Sequence, residues 1–183
     1  ARLVRIDPHR TELRRTADDS DPYERIIVAN VDQMGIVVAV ADPPPRIGLI
    51  DRCLVAAYDA RVDPLLVLTK VDLGDPAELL AAYRDLDVEA VAVTRGGSLD
   101  ELTAHLRDRV SVFVGHSGVG KSTLVNALIP DAARATGGVN QSTGRGRHTS
   151  TSAQALALPF GGWLIDTPGV RSFGLAHVER QRV

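Results

Sequence analysis

The sequence predicts an α/β protein built on a mostly parallel sheet, and three observations predict it. Short apolar runs alternate with helix-length segments from Tyr23 onward. The run Gly35–Ala41 (GIVVAVA) is apolar throughout, as a strand buried on both faces should be. A second run, Val110–Val114, passes straight into a glycine-rich turn and then a helix. The composition allows the core this fold needs, with 44% of the residues hydrophobic and 24% charged. A length of 183 residues suits one such domain with a small appendage.

In chain order, Ala1–Ile6 alternate basic and apolar residues, Asp7-Pro8-His9 reads as a turn and Thr11–Thr16 as a returning strand. A lone hairpin is marginal in water. Residues 1–22 therefore read as the end of a small β module plus the polar linker Thr16–Pro22, and residues 23–183 as the α/β domain. Arg25–Val31 is a strand or an extended entry to it. After Gly35–Ala41, Asp42 and Pro43–Pro45 open a helix with Ile47, Ile50, Leu54 and Ala57 along one side. Cys53 lies in this helix and reads as a buried hydrophobe; as the only cysteine it excludes an intrachain disulfide and a multi-cysteine metal site.

Leu65–Leu68 is the next buried strand, and Asp75-Pro76-Ala77-Glu78 starts a helix with an N-cap, a proline and an acid. Val88–Val93 is a strand, and Ser98 with Glu101 forms a capping box for a helix through Leu106. Thr123–Ile129 is helical and stopped by Pro130. Asp131–Arg147, with four glycines and no apolar period, is a long loop of the functional or disordered kind. Thr149–Leu158 and Gly162–Ile165 are strands joined at Pro159-Phe160-Gly161. In all, five strands alternate with helices and a sixth pairs through a tight turn.

Charge excludes little: 21 basic against 23 acidic side chains give a net −2, which advertises no nucleic-acid partner but leaves local patches open. No apolar run approaches the roughly 20 residues of a membrane span, and no signal peptide is visible, so a cytoplasmic, membrane-free location is expected. The chain starts without Met and stops soon after Phe173–Leu175, so a further domain is expected on either side.

Gly115-His116-Ser117-Gly118-Val119-Gly120-Lys121-Ser122 fits G-x-x-x-x-G-K-[ST] between a buried strand and a helix. Glycines let successive N–H groups curl around phosphates, and the helix N-terminus adds dipole charge. Lys121 then reaches the β- and γ-phosphates, Ser122 ligates Mg2+, and Thr123 opens the helix beside them. His116 falls at a variable position and reads as solvent-facing filler. Asp166-Thr167-Pro168-Gly169, after another apolar strand and 45 residues beyond Lys121, has the form of a switch. Asp166 would hold Mg2+ through water and the Gly169 N–H would sense the γ-phosphate.

Thr69-Lys70-Val71-Asp72 follows the strand Leu65–Leu68 and resembles the [NT]-K-x-D guanine motif. A carboxylate at Asp72 accepts both N1–H and N2–H of guanine, which adenine cannot offer, while the Lys70 stem lies over the base. Val93-Thr94-Arg95 takes the position of a second base-binding segment whose backbone N–H meets the base oxygen. Lys70 precedes Lys121 by 51 residues, so the base motifs come before the phosphate loop and the switches after it: a circularly permuted order. One sheet can build the same pocket from either order, because the loops lie at the carboxyl ends of neighbouring strands.

With the order TKVD–VTR–GHSGVGKS–RHTST–DTPG, and with RIIVANVD at 25–32, GRGRHTST at 144–151 and RSFGL at 171–175, the chain resembles the circularly permuted bacterial GTPases of the RsgA (YjeQ) family over nearly its whole length. The resemblance implies an OB-fold before the permuted GTPase domain, of which residues 1–22 would be a remnant, and a zinc-binding domain after it. It implies Mg2+ with GTP or GDP, and action in late maturation of the small (30S) ribosomal subunit through contact with its rRNA, with ribosome-stimulated turnover; a monomer is expected, though nothing in the sequence fixes the oligomeric state. The zinc ligands are not in these residues, so no zinc is assigned to them.

Val170 stands where many regulatory GTPases carry a water-orienting Gln, and an apolar side chain cannot orient water. The resemblance implies a first-switch histidine as substitute, and His148 matches that motif. Thr149 is the choice for the switch hydroxyl on Mg2+, with Ser150 and Thr151 as competitors, and Arg145 and Arg147 have several possible uses. The expected chemistry is in-line attack of water on the γ-phosphate, with Lys121 and loop N–H groups carrying charge. The alternatives are a nucleotide-gated rRNA-binding module with little hydrolysis, and an ATP-using enzyme in which TKVD is incidental.

Overall fold

The computed structural model describes residues 7–15, 25–130 and 153–167. Its strands are β1 (Glu12–Arg15), β2 (Arg25–Ala29), β3 (Gln33–Ala39), β4 (Asp63–Thr69), β5 (Glu89–Val93), β6 (Val110–Val114), β7 (Gln154–Ala157) and β8 (Trp163–Asp166). Its helices are α1 (Ile47–Asp59), α2 (Ala77–Ala82), α3 (Asp100–Leu106) and α4 (Lys121–Leu128).

All seven residues of β3 are buried because helices cover both faces of the sheet. Ile36 and Val38 pack with Ile50 and Leu54 of α1 and Leu79 of α2, whereas Val37 and Ala39 pack with Leu102 of α3 and Leu124 of α4. The six-stranded sheet runs β5-β4-β3-β6-β8-β7, with only β7 antiparallel to its neighbour. The chain moves outward from β3 through β4 to β5, then returns to the other side of β3 at β6. That reversal makes the gap between the carboxyl ends of β3 and β6 a topological switch point, where α/β sheets bind ligands. Register aligns the ends: Ala39 lies opposite Thr69, Thr69 opposite Val93, and Phe113 opposite Asp166.

Several local expectations change. Arg25–Ala29 stays out of the main sheet and pairs antiparallel with β1, Leu13 opposite Val28. It is half-exposed, with Ile26 at the surface, and so lacks the two apolar faces of a central parallel strand. The alternating segment 1–6 lies outside the described residues. Helix α1 begins at Ile47, not at the prolines, because each proline disfavours helical geometry in the residue before it. Ile47 is consequently exposed and the buried face runs through Ile50, Cys53, Leu54 and Ala57. Burial pushes the Cys53 thiol up to about 12, which suits a core residue. Ahead of α2 the Asp75 carboxylate accepts the Ala77 N–H at 2.9 Å, although the N-cap position falls at Pro76 and not at Asp75 as expected. At α3 Ser98 accepts the Asp100 N–H at 3.1 Å and donates its hydroxyl to the Asp100 carboxylate at 2.8 Å, but the N-cap falls at Leu99, so this local pair stands in place of the expected Ser98–Glu101 capping box. The last strand before the turn is shorter than 149–158, being Gln154–Ala157, with 149–152 outside the described residues.

The segment Asn30–Asp32 joins the hairpin to the sheet. Asn30 has φ +58 and accepts the Arg10 N–H at 2.8 Å, while Thr11 donates its hydroxyl to the Val31 carbonyl at 2.7 Å. Asp32 receives the Val110 N–H at 2.9 Å and the Arg10 guanidinium at 3.0 Å. Desolvation raises its pKa, but those two bonds and the charges of Arg10 and Arg109 outweigh it and hold the carboxyl below its ordinary value. A lowered carboxyl stabilises the fold above its unfolded pKa, and the benefit disappears as pH falls through the folded value. Asp32→Asn should therefore cost about 1 kcal/mol at pH 7, and the gap to the parent should narrow below about pH 4. Urea denaturation at pH 7 and pH 3 measures this; a gap that widens in acid contradicts it.

Candidate functional site: a phosphate loop beside a base cleft

Gly115–Gly120 connects β6 to α4 at the switch point. A Cβ on Gly115 would lie 2.6 Å from the Val37 carbonyl oxygen, so only glycine lets the loop pass this close to β3. Gly118 and Gly120 have φ +89 and +91, a region that side chains rarely adopt.

Lys121, the first residue of α4, is 8% exposed. Its ammonium contacts the Asp166 carboxylate and donates to the Thr167 carbonyl at 2.5 Å. The Thr167 hydroxyl donates to the Phe113 carbonyl at 2.8 Å and so pins the start of D-T-P-G to the end of β6. Two groups expected to face a bound phosphate and its metal thus face each other. Ser122 is exposed on the following helical position. Oxygen donors such as Ser122 and Asp166 suit Mg2+, which uses few protein ligands and completes its shell from phosphate and water. Among the described residues no three His, Cys, Asp or Glu side chains cluster as a metal cage.

The base motif meets the phosphate loop directly. Thr69, at the end of β4 and buried, donates its hydroxyl to the Val119 carbonyl at 2.6 Å. The Val38 carbonyl at 3.3 Å is a weaker second contact. Lys70 sits at φ +57 and its ammonium donates to the Asp42 carbonyl, which ties it to the β3–α1 loop. A turn closed by Leu73 N–H to Lys70 O at 2.9 Å follows, with Asp72 exposed within it.

A cleft of about 230 Å³ opens between these parts. Thr69, Lys70, Val93, Thr94 and Arg95 line one side, and Gly120 and Thr123 the other. Leu99, Leu124 and Ala127 add an apolar surface, although no local pattern singles them out from core residues. The volume falls below the roughly 300–1,000 Å³ that encloses a drug-sized ligand whole, so it suits one end of a larger molecule. Asp72 does not line it. Gly96 and Gly97 do, and a Cβ on Gly97 would strike the Thr94 hydroxyl at 2.3 Å.

His116 corrects its sequence reading. It is 7% exposed, not solvent-facing, and it turns inward beside the loop carbonyls. Ser117 and Gly118 are exposed on the loop and Val119 is fully buried. His148, Thr149, Ser150, Thr151, Gly169, Val170, Arg145 and Arg147 lie outside the described residues.

A mostly parallel sheet with its glycine loop at the switch point, and a cleft lined by Thr69–Lys70 and Val93–Arg95 from earlier in the chain, define a P-loop nucleotide-binding fold in circularly permuted order. A model of the RsgA GTPase family matches residues 6–176. The chain belongs to that family. It is 47% identical to the small ribosomal subunit biogenesis GTPase RsgA of Pseudomonas fluorescens, an alignment covering 96% of this chain and 53% of that protein. The crystal structure of YjeQ from Thermotoga maritima superposes with a TM-score of 0.64 at 32% identity, over 91% of this chain and 54% of that one. YloQ, described as a circularly permuted GTPase, gives 0.67 at 26% identity, over 98% and 55%. The chain thus spans about half the length of these relatives.

Proposed function

We propose that this chain is the nucleotide-handling part of a GTPase that acts in maturation of the small ribosomal subunit. The observation that carries the reading is the Thr69–Val119 hydrogen bond, which joins a guanine-type motif to a phosphate loop in a single site. Membership of the family and the names of its relatives supply the ribosomal setting. The partial OB-fold of residues 1–22 precedes the GTPase domain of residues 23–183 in this reading, and its strand β1 pairs with β2 across that boundary.

In this reading the base enters the cleft between Lys70 and Thr94–Arg95, and Asp72, in the exposed turn beyond the cleft lining, accepts its N1–H and N2–H where the base edge projects from the cleft. Phosphates lie along Gly115–Gly120, and Lys121 exchanges its carboxylate partner for β- and γ-phosphate oxygens. Ser122, Thr149 and Asp166 would hold Mg2+, whose contribution there is to neutralise phosphate charge. Gly169 senses the γ-phosphate and His148 orients the attacking water. Loop N–H groups and Lys121 stabilise the charge that develops in transfer. A cytoplasmic monomer acting without a membrane belongs to the same reading, in keeping with the ribosomal setting of its relatives' names.

Intrinsic turnover should be slow and should rise when small ribosomal subunits order the switch. His148→Ala should remove most of that rise, by roughly 10²-fold or more, while leaving GTP affinity near the parent value. Turnover of the parent and variant with and without small subunits tests this. A variant that keeps full stimulated turnover excludes His148. A parent that binds subunits in a GTP-dependent way without turning over GTP would favour a gated binding module.

A further inference from the structure

We infer that His116 is a positioning residue that holds the Gly118 N–H turned toward the phosphates, an inference that rests on the nucleotide-binding reading above. The buried imidazole has Nδ1 2.8 Å from the Ser117 carbonyl oxygen. A carbonyl only accepts, so Nδ1 carries the proton and donates, leaving Nε2 as the bare nitrogen. Nε2 is buried and has no hydrogen-bond partner among the described residues. Burying an imidazole nitrogen in this way is unfavourable, and the compensation lies in what the Nδ1 bond fixes.

In a trans peptide the carbonyl and the following N–H point in opposite directions. The Ser117–Gly118 peptide is trans, since the cis bond in the described chain is Asp42–Pro43. Tying the Ser117 carbonyl to a ring packed inside the protein therefore turns the Gly118 N–H away from that ring, out to the face of the loop. This peptide needs such a tie. Gly118, at φ +89, has little steric preference of its own, and a flip would present a carbonyl oxygen to the phosphates. The same logic operates two residues on, where Thr69 holds the Val119 carbonyl and so orients the Gly120 N–H. Two side chains from outside the line of phosphate contacts thus build the concave row of N–H donors.

Two kinds of variant test the assignment. His116→Phe and His116→Leu keep apolar bulk without a donor; His116→Asn places an amide N–H where Nδ1 was. The readouts are dissociation constants for GDP and GMP, and the NMR shift of the Gly118 amide on adding GDP. The parent should show a downfield Gly118 shift. The Phe and Leu variants should lose it and bind GDP about tenfold more weakly, with GMP affinity unchanged; Asn should restore both. If Phe does not fold, the comparison of Leu with Asn carries the test. Parent-like GDP affinity and Gly118 shift in a non-donating variant would overturn the inference, as would equal losses for GDP and GMP. A parent chain that binds neither GDP nor GTP removes the nucleotide reading itself, a separable result.

Discussion

Asp72→Asn should weaken GTP binding by roughly 10²–10⁴-fold and make xanthosine triphosphate the better ligand. The carboxylate accepts two N–H groups in the proposed complex, and each bond to a charged acceptor contributes about 1.5–3 kcal/mol. Xanthine carries a carbonyl where guanine has its amino group, so an asparagine amide can donate to it where a carboxylate can only repel it. The exposed position of Asp72 makes this a clean change, because no described residue occupies its carboxylate and the turn is closed by the Lys70 and Leu73 backbone. Melting temperature should stay at the parent value. Competition binding with GTP and xanthosine triphosphate checks the result, and unchanged selectivity would show that Asp72 does not read the base.

The second large effect concerns Lys121→Ala, which should lower single-turnover GTP hydrolysis by roughly 10³-fold. Here the protein itself is also affected. Lys121 is buried and neutralises Asp166, so alanine leaves a partly buried carboxylate without its cation. A fall in melting temperature should accompany the catalytic loss. Lys121→Ala combined with Asp166→Ala separates the two: stability should recover in the double variant, and hydrolysis should not. Recovery of both would reduce Lys121 to a structural counter-ion.

What the sequence made legible follows from how local each signal is. Gly115–Ser122 carries its geometry in its own residues, and a glycine needed for close approach to Val37 is still a glycine in a recognisable pattern. GIVVAVA shows its burial because both faces of one strand are covered, and the order of Lys70 and Lys121 shows the permutation without any structure. Contacts between distant segments were not legible. Nothing in a single residue marks His116 as buried, because its neighbours come from the folded loop. Leu99, Leu124 and Ala127 show no local sign of a site and come to line one cleft only in the folded chain. Asp32 reads as one acid in an apolar run, although it binds Arg10 and Val110 from two other parts of the chain. Asp166 stands out in D-T-P-G as a candidate site residue, but its pairing with Lys121 is not legible in the sequence, since that pairing depends on β8 lying beside β6.

The proposed guanine site remains the centre of the account, and its most direct test is competition of GTP and ATP for this chain in the presence of Mg2+. The motif order, the Thr69 bridge to the phosphate loop and the carboxylate at Asp72 predict that GTP displaces a bound guanine nucleotide at concentrations at least roughly 100-fold lower than ATP. Equal competition, or a preference for ATP, would contradict it.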